Sequence, residues 1–520
     1  MSVLRSVAAV LVADLRQRLR APRTWLVVAG LAALMWWCFP AAEKNYLTVS
    51  IDGMRGYYSS AWIGMIEALM YSASLSLVGF YLVRGTVVRD FETRTWQLLV
   101  ATTMSRGAYL FAKWLSHMLL FVLVMWAGLA VGLLVQWLRA EDRHIDLVEL
   151  AKPVMVLTLP SLALTAAVAV WFDMVPWLRR SAGNVLFFVL WVALLGVGTS
   201  QASKVAGAPT PWPGDPQGLL VAEHDLSRDW PVPAAKGETR GLSVGTQVIE
   251  AGDTAVLVDW AHWNVDAAAL RSRGAWFALA LVLLGLAVPL LDRCAAHAGK
   301  PGRSASGGAR LRWLDRVLSP VERWLPGGVL AAAELRLVLR ARRWWWWLAL
   351  LGVLGTQLFA PPKAMAIATI IAWVLLLDVF ARLVLREQET RTAGLVYTAP
   401  AMRLHLPVTR ALVSIGLAWA LTLPAMLRLA ATHPQAALAT LVVGASLALW
   451  GMAVGAMARN GRLFELLALG AAYVGVQGAA ILNVIVAPAD TLRWHLLALP
   501  FALGILVLAQ RMPVNASRAG

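Results

Sequence analysis

Glu92-Thr93-Arg94-Thr95 and Glu389-Thr390-Arg391-Thr392 are one phrase written twice, each time between two long apolar runs. The match extends outward at a constant offset. Arg89 pairs with Arg386, Ala101-Thr102-Thr103 with Thr398-Ala399-Pro400, Arg106 with Arg403, and Lys113 with Arg410. Farther upstream, Ala13-Asp14-Leu15-Arg16, Leu19-Arg20-Ala21, Arg23 and Trp25 echo Ala333-Glu334-Leu335-Arg336, Leu339-Arg340-Ala341, Arg343 and Trp345. Internal self-similarity identifies the structural unit before any single motif does. Here the unit is half of a membrane protein, and the chain holds two.

Hydrophobic residues fill 59% of the 520 positions and charged residues only 14%, the balance of a polytopic membrane protein. A bilayer core takes about 20 mostly apolar residues per helix. The expected fold is therefore all-α, with about twelve spans. Six fall in the first half, near Trp25–Ala42, Ala61–Val83, Tyr109–Trp137, Pro153–Val175, Asn184–Ser200 and Gly274–Leu291. Six follow in the second, near Trp344–Ala360, Ala364–Leu385, Ala411–Leu427, Gln435–Met457, Leu463–Val486 and His495–Ala509.

The basic residues behind the net charge of +17 gather in alternate loops. Arg5, Arg16, Arg18, Arg20 and Arg23 precede the first span, and Arg84, Arg89, Arg94 and Arg106 lie between spans 2 and 3. Arg179-Arg180 follow span 4, and Arg293 through Arg323 follow span 6. Intervening loops carry acids such as Glu141, Asp142, Asp146 and Glu149. This positive-inside pattern puts both termini in the cytoplasm and makes nucleic acid an unnecessary partner. Arginine far outnumbers lysine, which points to a bacterium with a GC-rich genome, and a multi-pass chain with this charge pattern is expected in its inner membrane.

Domains follow from this pattern. Residues 1–23 read as an amphipathic interfacial helix, with Leu4, Val7, Leu11, Leu15 and Leu19 on one face. Arg18 interrupts that face and is expected to snorkel. Residues 24–291 form the first six-helix half, with 201–273 as an external insertion whose Val244, Thr246 and Val248 alternate like a strand. Residues 292–328 read as a flexible cytoplasmic linker, 329–510 as the second half and 511–520 as a cytoplasmic tail.

Chemistry is sparse. There is no phosphate-cradling G-x-x-x-x-G-K-[ST] loop, no H-E-x-x-H and no cysteine pair at metal spacing, so catalytic and metal residues are expected to be none. Glu67, Asp378 and Glu465 lie inside spans, where an ionisable group implies a partner or a wet pathway. They are the candidates for a transport route, and the ordinary alternative is pairing with an arginine. Many of the 26 tryptophans sit at span ends, as interfacial belts require. The duplicated loops remain. A positive-inside loop explains arginines, but not an acid and two threonines at the same place in both halves. Such repetition suits two equivalent docking points for two copies of one soluble partner.

These residues resemble the membrane subunits of ABC exporters of the type-2 permease class. In that family an amphipathic helix precedes six spans. An acidic-start coupling loop between spans 2 and 3 runs Glu-x-Gly-Thr, two apolar residues, Ala-Thr-Pro-x-Ser-Arg, then a Lys. Glu92, Thr95, Leu98-Leu99, Ala101-Thr102, Ser105-Arg106 and Lys113 are similar to that run, with Arg94 in place of Gly and Thr103 in place of Pro. The second copy keeps Glu389, Thr392, Thr398, Pro400 and Arg403. The resemblance implies a permease that is no enzyme, holds no cofactor and is driven by ATP bound on separate ATPase subunits, two per chain. Glu92, Thr93, Arg94, Thr95 and Arg106, with Glu389, Thr390, Arg391, Thr392 and Arg403, would dock them. The substrate is not written in the sequence. A polytopic enzyme acting on a lipid-linked substrate and a non-transporting scaffold for an ATPase are the competing readings.

Overall fold

A computed structural model describes residues 3–40, 46–93, 95, 104–139, 141–179, 181–202, 215–230, 241–248, 256–293, 312–324, 327–342, 344–390, 392–396, 398–399, 402–459, 461–476, 481–485 and 487–511. The chain is all-α apart from four short strands, among the described residues, and divides into two compact units, Met1–Pro301 and Gly302–Gly520. Eight helices among the described residues are long and apolar enough to cross a membrane.

In the first unit, α1 (Val3–Leu19) and α2 (Pro22–Trp37) lead into β1 (Tyr46–Ile51) and β2 (Arg55–Gly56). Helix α3 (Ser60–Val83) starts where the Ser59 hydroxyl accepts the Trp62 N–H, an ordinary N-cap. It ends at extended Arg84, and Gly85, at φ +92°, turns the chain into α4 (Thr86–Glu92). The Asp173 carboxylate accepts the Gly85 N–H at 2.7 Å and the Val87 N–H at 3.1 Å, fixing the start of α4. Asp173 belongs to α6 (Leu147–Met174), which follows α5 (Arg106–Arg139) and carries a π turn at Val154–Thr158 just after Pro153. Helices α7 (Ser181–Ala202), α8 (Leu219–Asp229) and α9 (Ala267–Ala287) complete the unit, with β3 (Leu242–Val248) and β4 (Leu257–Val258) between the last two. Of these, α3, α5, α6 and α9 are long enough to span, whereas the apolar stretches in α2 and α7 are shorter.

Residues 201–273, the insertion of the sequence reading, are tied to the start of the unit: β3 pairs antiparallel with β1, which comes from the loop before α3, and β2 pairs parallel with β4. Together they form a cap at the α3 N-terminal end. Asp215 accepts backbone N–H groups from Gly218, Leu219, Leu220 and Val221, so it builds the start of α8. Arg55 holds Glu141 through two bonds of 2.7 and 2.8 Å. Trp62 meets Trp230 and Trp260 beneath the strands.

The second unit begins with α10 (Arg312–Trp324), in the stretch the sequence reading assigned to a flexible linker. Leu314 and Leu318 pack on Ala332 of α11 (Gly328–Arg340), which gives this amphipathic helix a fixed seat. Helices α12 (Trp344–Phe359), α13 (Pro362–Arg382), α14 (Arg386–Glu389) and α15 (Ala393–Val396) follow. The unit closes with α16 (Met402–Thr432), α17 (Pro434–Ala458), α18 (Gly461–Val476) and α19 (Pro488–Arg511). Helices α13, α16, α17 and α19 have spanning length, while α12 and α18 are shorter. Glycines on α17 let α13 approach closely: a Cβ at Gly451 would collide with Phe380 and one at Gly455 with the Ala381 carbonyl, while Leu449, Met452 and Ala453 pack with Ala502 and Leu506 of α19.

Candidate functional site: a charge cluster built twice

Burying an ion pair demands close geometry and further hydrogen bonds, because desolvation is otherwise uncompensated. Each unit meets that demand in the same place. In the first, Asp14 of α1 receives Arg18 Nε at 2.9 Å, Lys113 Nζ at 3.2 Å, the Ser116 hydroxyl at 2.5 Å and Arg89 at 3.4 Å. Lys113, on α5, also reaches Asp90 of α4 at 2.8 Å, and the Tyr109 hydroxyl donates to the same carboxylate at 2.7 Å. In the second unit, Glu334 of α11 receives Arg386 of α14 and Arg410 of α16, the latter at 3.0 Å. Arg410 forks onto both oxygens of Glu387, one bond measuring 2.7 Å.

The two clusters are one design. Asp14 corresponds to Glu334, Arg89 to Arg386, Asp90 to Glu387 and Lys113 to Arg410, all in the registers that relate the duplicated phrases. In both, one base on the helix after the loop joins an acid at the loop entrance to an acid on an upstream helix, α1 in the first unit and α11 in the second. The side chains are buried: Lys113 is 4% exposed, Asp14 2% and Arg410 3%. Arg18 therefore does not snorkel, as expected from sequence; it turns inward to Asp14, and the pairing makes its burial tolerable.

Electrostatics follow. Burial alone raises the Asp14 carboxyl, but Arg18, Lys113 and the Ser116 hydroxyl together hold it well below its ordinary value of 3.8. Burial also opposes ionisation of Glu387, and the Arg410 hydrogen bonds overcome it, leaving the group below its ordinary 4.5. Because both folded-state values are depressed, these acids stabilise the fold fully above their unfolded values and progressively less as pH falls below them. Thermal unfolding of the purified chain should thus lose ground steeply below about pH 4.5, and Asp14→Asn should flatten that loss. An unchanged acid limb in Asp14→Asn would remove this account.

Directly after each cluster the duplicated phrase takes one shape. The Thr93 N–H and hydroxyl both donate to the Arg89 carbonyl, at 2.8 and 2.9 Å, and Thr93 and Thr95 share a 2.8 Å hydroxyl bond. Thr390 repeats this on Arg386 at 2.9 and 2.8 Å, with Thr392 at 2.7 Å. The threonines end the short helix and stand exposed, as does Glu389. Arg94 and Arg391 lie outside the described residues, as do the side chains of Glu92 and Arg403. Arg106 is on the surface, paired with Asp292 at 2.5 Å. Sequence matching chose identical letters and so missed Asp90 and Glu387, which share charge and place but not identity. The signal was present in the Asp14–Glu334 and Lys113–Arg410 correspondences.

Among the three acids proposed for a pathway, two have arginine partners. Asp378 lies 2.8 Å from Arg342, and Glu465 lies 3.8 Å from Arg382. Glu67 differs. It is fully buried in α3, and neither carboxylate oxygen has a hydrogen-bonding side chain among the described residues. It fits because α5 carries glycine opposite: a Cβ at position 132 would sit 2.6 Å from Glu67 Oε1. No group of three or more potential metal ligands occurs among the described residues.

Compared with known protein families, curated proteins and solved structures, the chain matches none.

Proposed function

We propose that this chain is the membrane-spanning permease of an ABC-type exporter, with two six-helix halves fused in one polypeptide. In this reading it sits in a bacterial inner membrane with both termini cytoplasmic, and two separate ATPase subunits supply the energy. The observation that carries the proposal is the repeated cluster, which ties each threonine turn to an amphipathic helix and to a long apolar helix. A permease driven from outside needs such a link, because a soluble motor's closing motion must reach the helices through contacts that survive repeated strain. Two copies of the link, one per unit, suit two copies of a motor.

Four shorter apolar helices, α2, α7, α12 and α18, would complete twelve spans with the eight long ones. Glu92 and Glu389, beside the threonine turns, would touch the ATPase. Glu389 is exposed and in no ion pair among the described residues, so it is available to a partner.

The double variant Glu92→Ala, Glu389→Ala tests this. Each lost charge-assisted hydrogen bond costs about 1.5–3 kcal/mol, so co-purification of the ATPase should weaken at least about tenfold. Insertion and thermal stability should hold, because both residues lie outside the long apolar runs. Wild-type complex yield in the double variant, or ATP hydrolysis by the rigorously isolated chain, would defeat the proposal.

A further inference from the structure

The repeat allows one unit to be read against the other. In the second unit, α10 lies along α11. Leu314, Leu318 and Val321 pack on Ala332, Leu335 and Leu339. Two carboxylates seven residues apart on α10, two turns of helix, clamp two arginines of α11. Asp315 binds Arg336 at 2.9 Å and Arg340 at 2.8 Å, and Glu322 binds Arg336.

The equivalent residues of α1 are Val12, Leu15, Leu19, Arg16 and Arg20. Here the same face is more open, although Leu15 is half-buried like Leu335. Val12 is 42% exposed and Leu19 37%, where Ala332 is fully buried. Arg16 and Arg20 are exposed, and neither guanidinium makes an ion pair among the described residues. The inward face of α1 is already occupied by its Asp14 cluster, so the more open stripe is an additional surface.

We infer that this stripe of α1 is a docking site for one amphipathic polypeptide helix with the chemistry of α10. That helix carries an aliphatic ridge flanked by two carboxylates two turns apart, one for Arg16 and both within reach of the Arg16–Arg20 pair. The occupant belongs to a partner protein. A helix rather than a lipid surface is favoured because the matching stripe of α11 is covered by a helix, through these same positions. The stripe is also one helix wide: Val12, Leu15 and Leu19 recur at spacings of three and four, as a single packed ridge requires.

The test uses the purified full chain in nanodiscs of neutral lipid, titrated with a fluorescent peptide of residues 312–324. A hydrocarbon staple between positions 316 and 323, both exposed on α10, keeps the peptide helical. Saturable binding is expected, weakened at least about tenfold by Arg16→Glu with Arg20→Glu, since two charge-assisted contacts are lost. A peptide carrying Asp315→Arg and Glu322→Arg should restore binding to that variant and bind the wild type poorly. Both arginines are exposed, so the variant is expected to fold, and its unchanged melting temperature checks this. Absent binding, or binding indifferent to charge reversal, overturns the inference. A second readout separates the lipid outcome: an environment-sensitive dye on Val12→Cys, with Cys38 and Cys294 replaced by serine, in nanodiscs with and without anionic lipid. A dye that responds to anionic lipid while the peptide fails to bind assigns the stripe to the membrane surface.

Discussion

Arg410→Ala is expected to cost about 3–5 kcal/mol of stability, because it leaves the buried Glu387 carboxylate without its cation and Glu334 with Arg386 alone. Glu334 and Glu387 both depend on this guanidinium, and Glu387 does so through a fork that only arginine supplies. Arg410→Lys should therefore recover only part of the loss, keeping the charge but not the fork. Lys113→Ala should cause a similar loss in the first unit, where a point charge bridges Asp14 and Asp90. Removing acid and base together, as in Glu387→Leu with Arg410→Met, should be milder than Arg410→Ala alone, since well-packed apolar groups replace buried pairs at little cost. Thermal unfolding of the purified variants measures all four. Arg410→Ala within about 0.5 kcal/mol of wild type would show that the cluster is no anchor.

Glu67→Leu is expected to move stability the other way. A buried carboxyl with no side-chain partner costs roughly 2 kcal/mol or more, and leucine removes that cost at comparable volume. The melting temperature should rise, while Glu67→Lys should prevent folding beside the glycine seat at Gly132. If the carboxyl serves passage of a substrate, transport should fall in the same variant that gains stability, the trade expected where a strained group is kept for use. A destabilised Glu67→Leu would reveal a contact that stabilises the carboxyl and would end this argument.

The duplication was legible because both copies of Glu-Thr-Arg-Thr kept their letters, and those letters fold into the same threonine turn. The buried cluster was harder to read. Its positions keep charge while exchanging Asp for Glu and Lys for Arg, so identity drew attention to the exposed Glu389 rather than to Glu387. Arg18 was misjudged although Asp14 stands one turn before it on the same helix; what no local pattern reports is that this ridge of α1 is buried against Lys113 and Ser116 of α5. Helix α10 was hidden by its surroundings: glycine and serine crowd residues 302–308, and Pro320 interrupts its own apolar pattern. Strand β1 is six residues long and its partner lies far along the chain, which no local pattern reports.

That distant pairing bears on how the chain is made. Ser59, which caps α3, also donates its hydroxyl to the Trp260 carbonyl, 201 residues later, and β1 waits for β3. Contacts so far apart in sequence form late, after the chain between them has emerged. The long helices α3, α5 and α6 can be inserted one by one as the ribosome delivers them, yet the capped end of α3 must stay open through that interval. Closing it is the step that completes the first unit, and a chain stalled before residue 242 would leave β1 as an unpaired edge, the kind of surface that invites wrong partners.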